Sequence, residues 1–161
     1  HSDGTIVLFD HSFPGGRGKM VPAEFAPAAE LPNEEYPMVL TTGRLLEHWH
    51  TGTMTRRAVA LDAIEGEPHV DMHPEDMHTL EVADEDWVTI TSRRGSITLK
   101  ARESRSPGRG AVFVPFCWRE AAANVLTIDE LDPFGKIPEF KFCAVRVERA
   151  SLADLGRGAA E

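Results

Sequence analysis

Trp87-Val88-Thr89-Ile90-Thr91-Ser92-Arg93-Arg94-Gly95-Ser96-Ile97-Thr98-Leu99-Lys100-Ala101 alternates apolar and polar side chains on either side of a short Arg-Arg-Gly break. Period two puts every second side chain on one face, which marks a half-buried strand. Two such runs around a tight, glycine-containing turn mark a hairpin. Short strand signals of the same kind recur outward from it, at residues 5–9, 38–42, 69–72 and 142–147, and an apolar run at 111–116 reads as a strand covered on both faces. His73-Pro74-Glu75-Asp76 opens a short helix to Leu80, with proline at the first helical position and acids in the first turn. Residues 120–124 read as a second short helix, 129–131 as a turn of a third, and 58–64 as apolar and of open type. The chain therefore has six or seven short strands, no long amphipathic helix and no strand–helix alternation. It is mainly β with short helices, and a β-barrel rather than a parallel sheet between helix layers.

With 161 residues, 42% of them hydrophobic, the chain suits one compact domain with tails. Its net charge of -9 disfavours an extended nucleic-acid or anionic-membrane surface, so any anion site must be local. No apolar run reaches the roughly 18–20 residues of a membrane span. The start, His-Ser-Asp-Gly, has no initiator Met and no signal pattern, and is read as a cut. Cys117 and Cys143 both lie in apolar surroundings typical of buried free thiols, which implies a reducing compartment.

Residues 41–57, Thr-Thr-Gly-Arg-Leu-Leu-Glu-His-Trp-His-Thr-Gly-Thr-Met-Thr-Arg-Arg, concentrate the polar chemistry, with three arginines, two histidines and five threonines beside two glycines. Three readings fit. Alternate histidines, His48 and His50, could share one side of an extended segment and hold a metal with His69, His73, His78 or Cys117, although no recognised ligand spacing is present. Arginines could merely pair with Glu47 or Asp62 on a charged surface loop. More economically, backbone donors near Gly43 and Gly52, the hydroxyls and the Arg44 guanidinium suit a phosphate or a polar heterocycle.

Other groups are weaker. Phe13-Pro14-Gly15-Gly16-Arg17-Gly18-Lys19 is glycine-rich and basic but lacks the Gly-Lys-Ser/Thr ending and following helix of a phosphate loop, and reads as a connector. Prolines 22, 27, 32 and 37 keep that arm extended. No Gly-x-Ser-x-Gly elbow is present, and Cys117 suits a small buried hydrophobe better than a nucleophile. Phe116, Trp118 and Asn124 suit either core packing or approach of a heterocycle. Lys141 is equally ambiguous.

Residues 36–44 and 47–57, followed in order by His73-Pro74-Glu75-Asp76, Ser92-Arg93-Arg94-Gly95, Asn124 with Leu126-Thr127, and Lys136-Ile137-Pro138-Glu139-Phe140-Lys141, resemble the C-terminal dinucleotide-binding domain of the molybdopterin oxidoreductases. That family includes formate dehydrogenases and nitrate reductases. The resemblance spans residues 4–147. Residues 132–145 and 13–21 are most similar to the catalytic subunit of cytoplasmic NAD-linked formate dehydrogenases.

The resemblance implies a six-stranded double-psi β-barrel over residues 36–149, an extended connector from a preceding domain over 1–35 and a C-terminal tail over 150–161. It implies that this domain folds over bis-molybdopterin guanine dinucleotide. The implied contacts are Thr42, Gly43, Arg44, Leu45, Leu46, Glu47, His48, Trp49, His50, Thr51, Phe116, Asn124 and Lys141, with the histidines as hydrogen-bonding groups. Molybdenum or tungsten would be held by the cofactor and by another domain. Nothing here matches those metal ligands or an iron–sulfur Cys-x-x-Cys run, so the chain by itself is expected to be inactive, with no catalytic residue and no metal ligand. Many family members have histidine at the position of Cys117, which leaves the buried-thiol reading. The implied partners are the remaining domains of the catalytic subunit and electron-transfer subunits with iron–sulfur and flavin centres, in the cytoplasm, with no nucleic acid and no membrane. Two alternatives stay open: the same domain of a nitrate reductase, and a double-psi barrel serving as a protein-binding adaptor.

Overall fold

The computed structural model describes residue 9, residues 12–151 and residue 154. Its centre is a closed six-stranded barrel with strand order β1-β5-β2-β4-β3-β6. The strands are β1 Met38–Gly43, β2 His69–Met72, β3 Trp87–Thr91, β4 Ser96–Glu103, β5 Ala111–Pro115 and β6 Cys143–Arg149. The pairs β1–β5 and β2–β4 are parallel and the other four antiparallel. Exchanging β1, β2 and β3 with β4, β5 and β6 maps every pairing onto one of the same sense. The barrel is thus two interleaved three-strand halves, the double-psi arrangement, although the sequence carries no visible repeat.

Alternation builds the core. In β3 and β4 the residues facing inward, Val88, Ile90, Ile97, Leu99 and Ala101, are buried, while Thr89 and Thr98 meet on the outer face with hydroxyls 3.2 Å apart. Leu40, Val70, Met72, Val112, Val114, Val145 and Val147 complete the interior. Strand β2 departs from alternation because all four of its residues are buried, His69 and Asp71 included. The connection from β1 lies over its outer face, and Arg102 on the neighbouring strand pairs with both Asp71 (2.8 Å) and Glu65 (2.9 Å).

Two short α-helices lie outside the barrel, α1 Val59–Asp62 and α2 Pro74–Thr79. The expected start signals operate in α2: the His73 side chain accepts from the Glu75 N–H at 3.2 Å, Pro74 stands at the first turn, and the Asp76 carboxylate takes the Gly110 N–H at 2.7 Å.

Two expected helical segments differ. Residues 120–124 do not form a helix, and a single 3-10 turn spans Ala123–Val125. Ala122 is extended (φ -67°, ψ 107°) so that Ala121 and Ala123 can both enter the core, a spacing that a helix cannot provide. Residues 129–131 are not helical either. Leu131 bridges Pro138, and the Asp132 carboxylate accepts the N–H groups of Phe134 (3.0 Å), Gly135 (3.1 Å) and Ile137 (3.1 Å), which stabilises a turn at the expense of a helix. The expected strand at 5–9 lies outside the described residues except for Phe9, and most of the expected tail lies outside them too.

Gly43 ends β1 for a packing reason. A Cβ there would stand 2.5 Å from the ring of Phe113, which reaches over from its place opposite Thr41 on the parallel strand β5. Gly43→Ala is expected to destabilise the barrel by about 1–3 kcal/mol, since the ring must leave its position. Urea denaturation measures this, and a change below a few tenths of a kcal/mol would show that the ring moves freely.

Candidate functional site

Strand register gathers the predicted site residues at one end of the barrel. Gly43 pairs Pro115 in the parallel β1–β5 ladder, and Leu40 pairs Cys143 in the antiparallel β1–β6 ladder. The ends of β1, β3 and β5 and the starts of β2, β4 and β6 therefore share one rim. The connections leaving this rim are residues 44–68, 92–95 and 116–142, and they carry the Arg44 loop, Phe116, Asn124 and Lys141.

Thr42 ties two of these segments together through its buried hydroxyl, which donates to the Phe140 carbonyl at 2.8 Å. The Gly43 carbonyl accepts from the Phe116 N–H at 3.1 Å. Beyond this seam the loop turns outward. Arg44 is exposed and its Nη2 lies 3.4 Å from His50 Nε2, with no carboxylate partner among the described residues. Leu46 and Trp49 are exposed, Leu45 and Glu47 are half-buried, and the Thr51 hydroxyl lies 3.0 Å from that of Thr53. His50 adopts a left-handed φ of 50° and Gly52 one of 72°. These two residues make the bend that turns the chain back toward the barrel, where the Thr55 hydroxyl accepts the Trp49 N–H at 2.9 Å.

The two histidines separate. His50 stands on the outer side, its ring 4.8 Å from that of Trp49. His48 is 1% exposed, bonds the Glu65 carbonyl through Nε2 at 2.6 Å, and sets its ring edge against Trp118 at 5.4 Å. The two therefore do not converge on one ligand position. Among the described residues no group of three or more His, Cys, Asp or Glu side chains is placed to hold a metal ion.

Beneath the loop lies a polar interior that sequence reasoning missed. Trp118, buried at 1% exposure, contacts the rings of His48 and His69 and lies under the Arg56 guanidinium at 4.8 Å. Arg56 also bonds Glu120 at 2.6 Å and approaches Asp62 at 3.5 Å. Burial pushes the Glu120 carboxyl upward, but the bond and charge of Arg56 together with the backbone N–H groups of Glu120 and Arg119 outweigh it and hold the group below its ordinary range. Burial, reinforced by the nearby Arg102 charge, lowers the His69 pKa, so that ring stays neutral at physiological pH. Burial raises both thiols to about 11, leaving Cys117 and Cys143 protonated and slow to react, and the two are not joined by a disulfide. The signal that could have found this cluster is the pair of alternating residues His69 and Asp71 in a strand whose other members are apolar.

On the far side of the rim, Asn124 is exposed in the Ala123–Val125 turn. Its backbone carbonyl accepts from the Thr127 hydroxyl at 3.3 Å, while its side-chain amide makes no hydrogen bond among the described residues. Lys141 is exposed, with Nζ 5.8 Å from the Phe140 ring centre, and Phe116 is half-buried against the core. The Asn124 turn is held by Arg94, whose Nε donates to the Leu126 carbonyl at 3.0 Å. Arg94 in turn forms a two-bond fork with Glu30 at 2.6 and 2.9 Å, and Glu30 also takes the Ala144 N–H at 2.8 Å. The arm, residues 12–35, has no helix or strand and reaches the barrel through this glutamate.

A rim that presents an exposed guanidinium without a carboxylate partner among the described residues, an ammonium, an imidazole and an unpaired amide beside exposed aromatic surface suits a ligand that is both anionic and heterocyclic. Residues 38–144 match the family described as Molydopterin dinucleotide binding domain. The chain belongs to that family. The domain is 47% identical over 148 residues to the F420-dependent formate dehydrogenase subunit alpha of Methanocaldococcus jannaschii, covering 91% of this chain and 22% of the relative. It is 41% identical over 136 residues to the F420-dependent formate dehydrogenase 1 subunit alpha of Methanococcus maripaludis, covering 84% of this chain and 20% of the relative. The chain thus spans about a fifth of the length of these curated relatives. Among solved structures, acetylene hydratase from Pelobacter acetylenicus superposes with a TM-score of 0.67 at 16% identity, over 78% of this chain and 21% of that one, which bears on the fold alone. No helix among the described residues is long and apolar enough to cross a membrane.

Proposed function

We propose that this domain supplies one wall of the molybdopterin dinucleotide site in a cytoplasmic formate dehydrogenase. The carrying observation is the convergence of residues 42–51, Phe116, Asn124 and Lys141 on one barrel rim, with Arg44, His50, Asn124 and Lys141 displayed to solvent. The donor set fits the group. Arg44 and Lys141 would meet phosphate oxygens, Asn124 would pair with the edge of a heterocycle, and Trp49, Leu46 and Phe116 would keep water from those bonds. His50 would orient Arg44. Thr42, Gly43, Leu45, Glu47, His48 and Thr51 would act through the loop's shape and backbone. The bound group, in its bis-guanine-dinucleotide form, would supply a molybdenum or tungsten centre that accepts the electrons of formate, with the remaining metal ligands and the iron–sulfur clusters outside this chain. Residues 36–149 would be the binding unit, 1–35 the connector and 150–161 the tail. The other domains of the subunit and electron-transfer subunits would be its partners.

Formate is favoured over nitrate because the compared relatives are formate dehydrogenases. Their names give F420 dependence where the resemblance pointed to NAD, and the electron-transfer partners would set that choice.

In the full-length subunit, Arg44→Ala and Asn124→Ala are each expected to weaken cofactor retention. The loss of charge-assisted bonds at Arg44 is worth about 1.5–3 kcal/mol, or roughly tenfold to a hundredfold in affinity. Extracted pterin per mole of protein measures it. Full cofactor content in both variants, together with loss of a protein partner, would replace this reading by that of an adaptor.

A further inference from the structure

Five buried side-chain atoms make no hydrogen bond among the described residues: His48 Nδ1, His69 Nε2 and Trp118 Nε1, together with Arg56 Nε and Asp62 Oδ1, which face each other as an ion pair at 3.5 Å. All five belong to residues joined through Trp118 and Arg56, directly beneath the Arg44 loop. Protein interiors pair most such groups, so their gathering in one place singles out this cluster beneath the loop.

That geometry spans a gap the barrel leaves open. The connections from β1 and β5 leave the rim side by side, and the last backbone bond joining them is Phe116 N–H to the Gly43 carbonyl. Above that bond, Arg56 reaches from one connection to the other. Its N–H bonds the Gly52 carbonyl at 2.9 Å, and its stem closes on Gly52, where a Cβ would meet Arg56 Cγ at 2.8 Å and the Cys117 carbonyl at 3.1 Å. Its head lies on Trp118 and bonds Glu120. Besides the Thr42–Phe140 bond at the rim, the links across the gap among the described residues are the His48 ring edge on Trp118 and the fit of Gly52 against the Cys117 carbonyl. Both depend on the loop staying where Arg56 holds it.

We propose that Arg56 is the positioning residue of this face. By resting its planar guanidinium on Trp118 and bonding Glu120, it fixes the loop that carries Arg44 and His50 against the segment that carries Phe116 and Asn124. The inference rests on the cofactor-binding reading. Arg56 itself is turned inward, 20% exposed at the side chain, and acts through the loop rather than by touching the ligand. Lysine cannot replace it, because an ammonium offers no plane to stack and no fork to bond Glu120 while approaching Asp62.

The experiment compares Arg56→Ala, Arg56→Lys and Glu120→Gln with the unsubstituted protein in the full-length subunit. It reads extracted pterin per mole together with the alkylation rates of Cys117 and Cys143, resolved by peptide mass spectrometry. Cys117 lies behind the contact with Gly52, whereas Cys143 starts β6 and serves as the internal standard. With Arg56→Ala, Cys117 is expected to react roughly tenfold faster while Cys143 holds its rate, because the opening is local. Retained cofactor is expected to fall severalfold. Arg56→Lys should rescue neither readout, and Glu120→Gln should show the same pattern more weakly and without emptying the core. Loss of cofactor with Cys117 still protected would make Arg56 a direct contact and overturn the proposal. Faster Cys117 labelling with full cofactor content, or full rescue by lysine, would also overturn it. If Arg44→Ala and Asn124→Ala retain full cofactor, the cofactor reading itself fails and this inference falls with it. Failure of the Arg56 variants alone leaves that reading standing.

Discussion

Trp118→Ala is expected to lower the stability of the domain by about 3–5 kcal/mol, the range for emptying a large aromatic site that cannot collapse. Trp118 is 1% exposed and sits where three polar side chains meet, with His48 and His69 set edge-on at 5.4 and 6.0 Å and Arg56 at 4.8 Å over its face. None of these neighbours can fill the space without burying another polar group against nothing. The loss should therefore appear at the upper end of the range and should carry the Arg44 loop with it. Trp118→Phe separates packing from hydrogen bonding. The indole N–H has no partner among the described residues, so removing it forfeits no bond, and phenylalanine should cost only about 1–2 kcal/mol through the smaller ring. Urea denaturation of the two variants gives both numbers. A loss below about 1 kcal/mol for alanine would mean that the cluster rearranges around the gap. A phenylalanine variant as damaged as the alanine one would mean that the indole N–H is bonded after all.

Strand positions were legible because they depend on a local rule. The hairpin around Arg93-Arg94-Gly95, the strand at His69–Met72 and the helix opened by Pro74 all stand as read, since alternation and capping act within a few residues. The barrel order was not legible from the residues. Parallel pairing of β1 with β5 joins positions such as Leu40 and Val112, which share no local signal, and only the family resemblance implied it. Asn124 and Arg44 were both singled out in the sequence, but their placement on one rim follows from register and not from spacing. The treatment of His48 and His50 marks the limit of pattern reading. Alternation placed both on one side of an extended segment, whereas the loop bends at His50 and sends one ring into the interior and the other outward. Ala121-Ala122-Ala123 gave a helical signal by propensity, and tertiary burial of its first and third residues overrode it.

Arg94 shows the same limit in a way that acid titration exposes. In sequence it is a turn residue, but its guanidinium fork holds Glu30, 64 positions away, and Glu30 also accepts the Ala144 N–H near the start of β6. The bond from Arg94 is the largest influence on the Glu30 carboxyl and, with the Ala144 N–H and the Arg93 charge, overcomes burial to hold its pKa at about 2 instead of 4.5. A folded-state pKa below the unfolded one means that the unfolded chain binds the proton more readily. The stabilisation is complete above pH 4.5 and disappears as the pH falls toward about 2. Its size is about 3 kcal/mol, and the side chain is only 11% exposed, so solvent screens it little. Glu30→Gln is expected to be less stable than the unsubstituted domain by about that amount at pH 7, and the two should approach each other as the pH is lowered through this window. Asp132 and Glu120 are also held below their ordinary ranges, but both proteins keep them, so the difference between the two stability curves isolates Glu30. Denaturation at several pH values from 7 to 3 provides the curves. A difference that stays constant with pH would mean that the glutamine acts through shape alone. The position of the pair gives the result a functional side. Arg94 holds the Leu126 carbonyl next to the Asn124 turn, so a domain that loses Glu30 loosens one edge of the rim on which the cofactor reading depends.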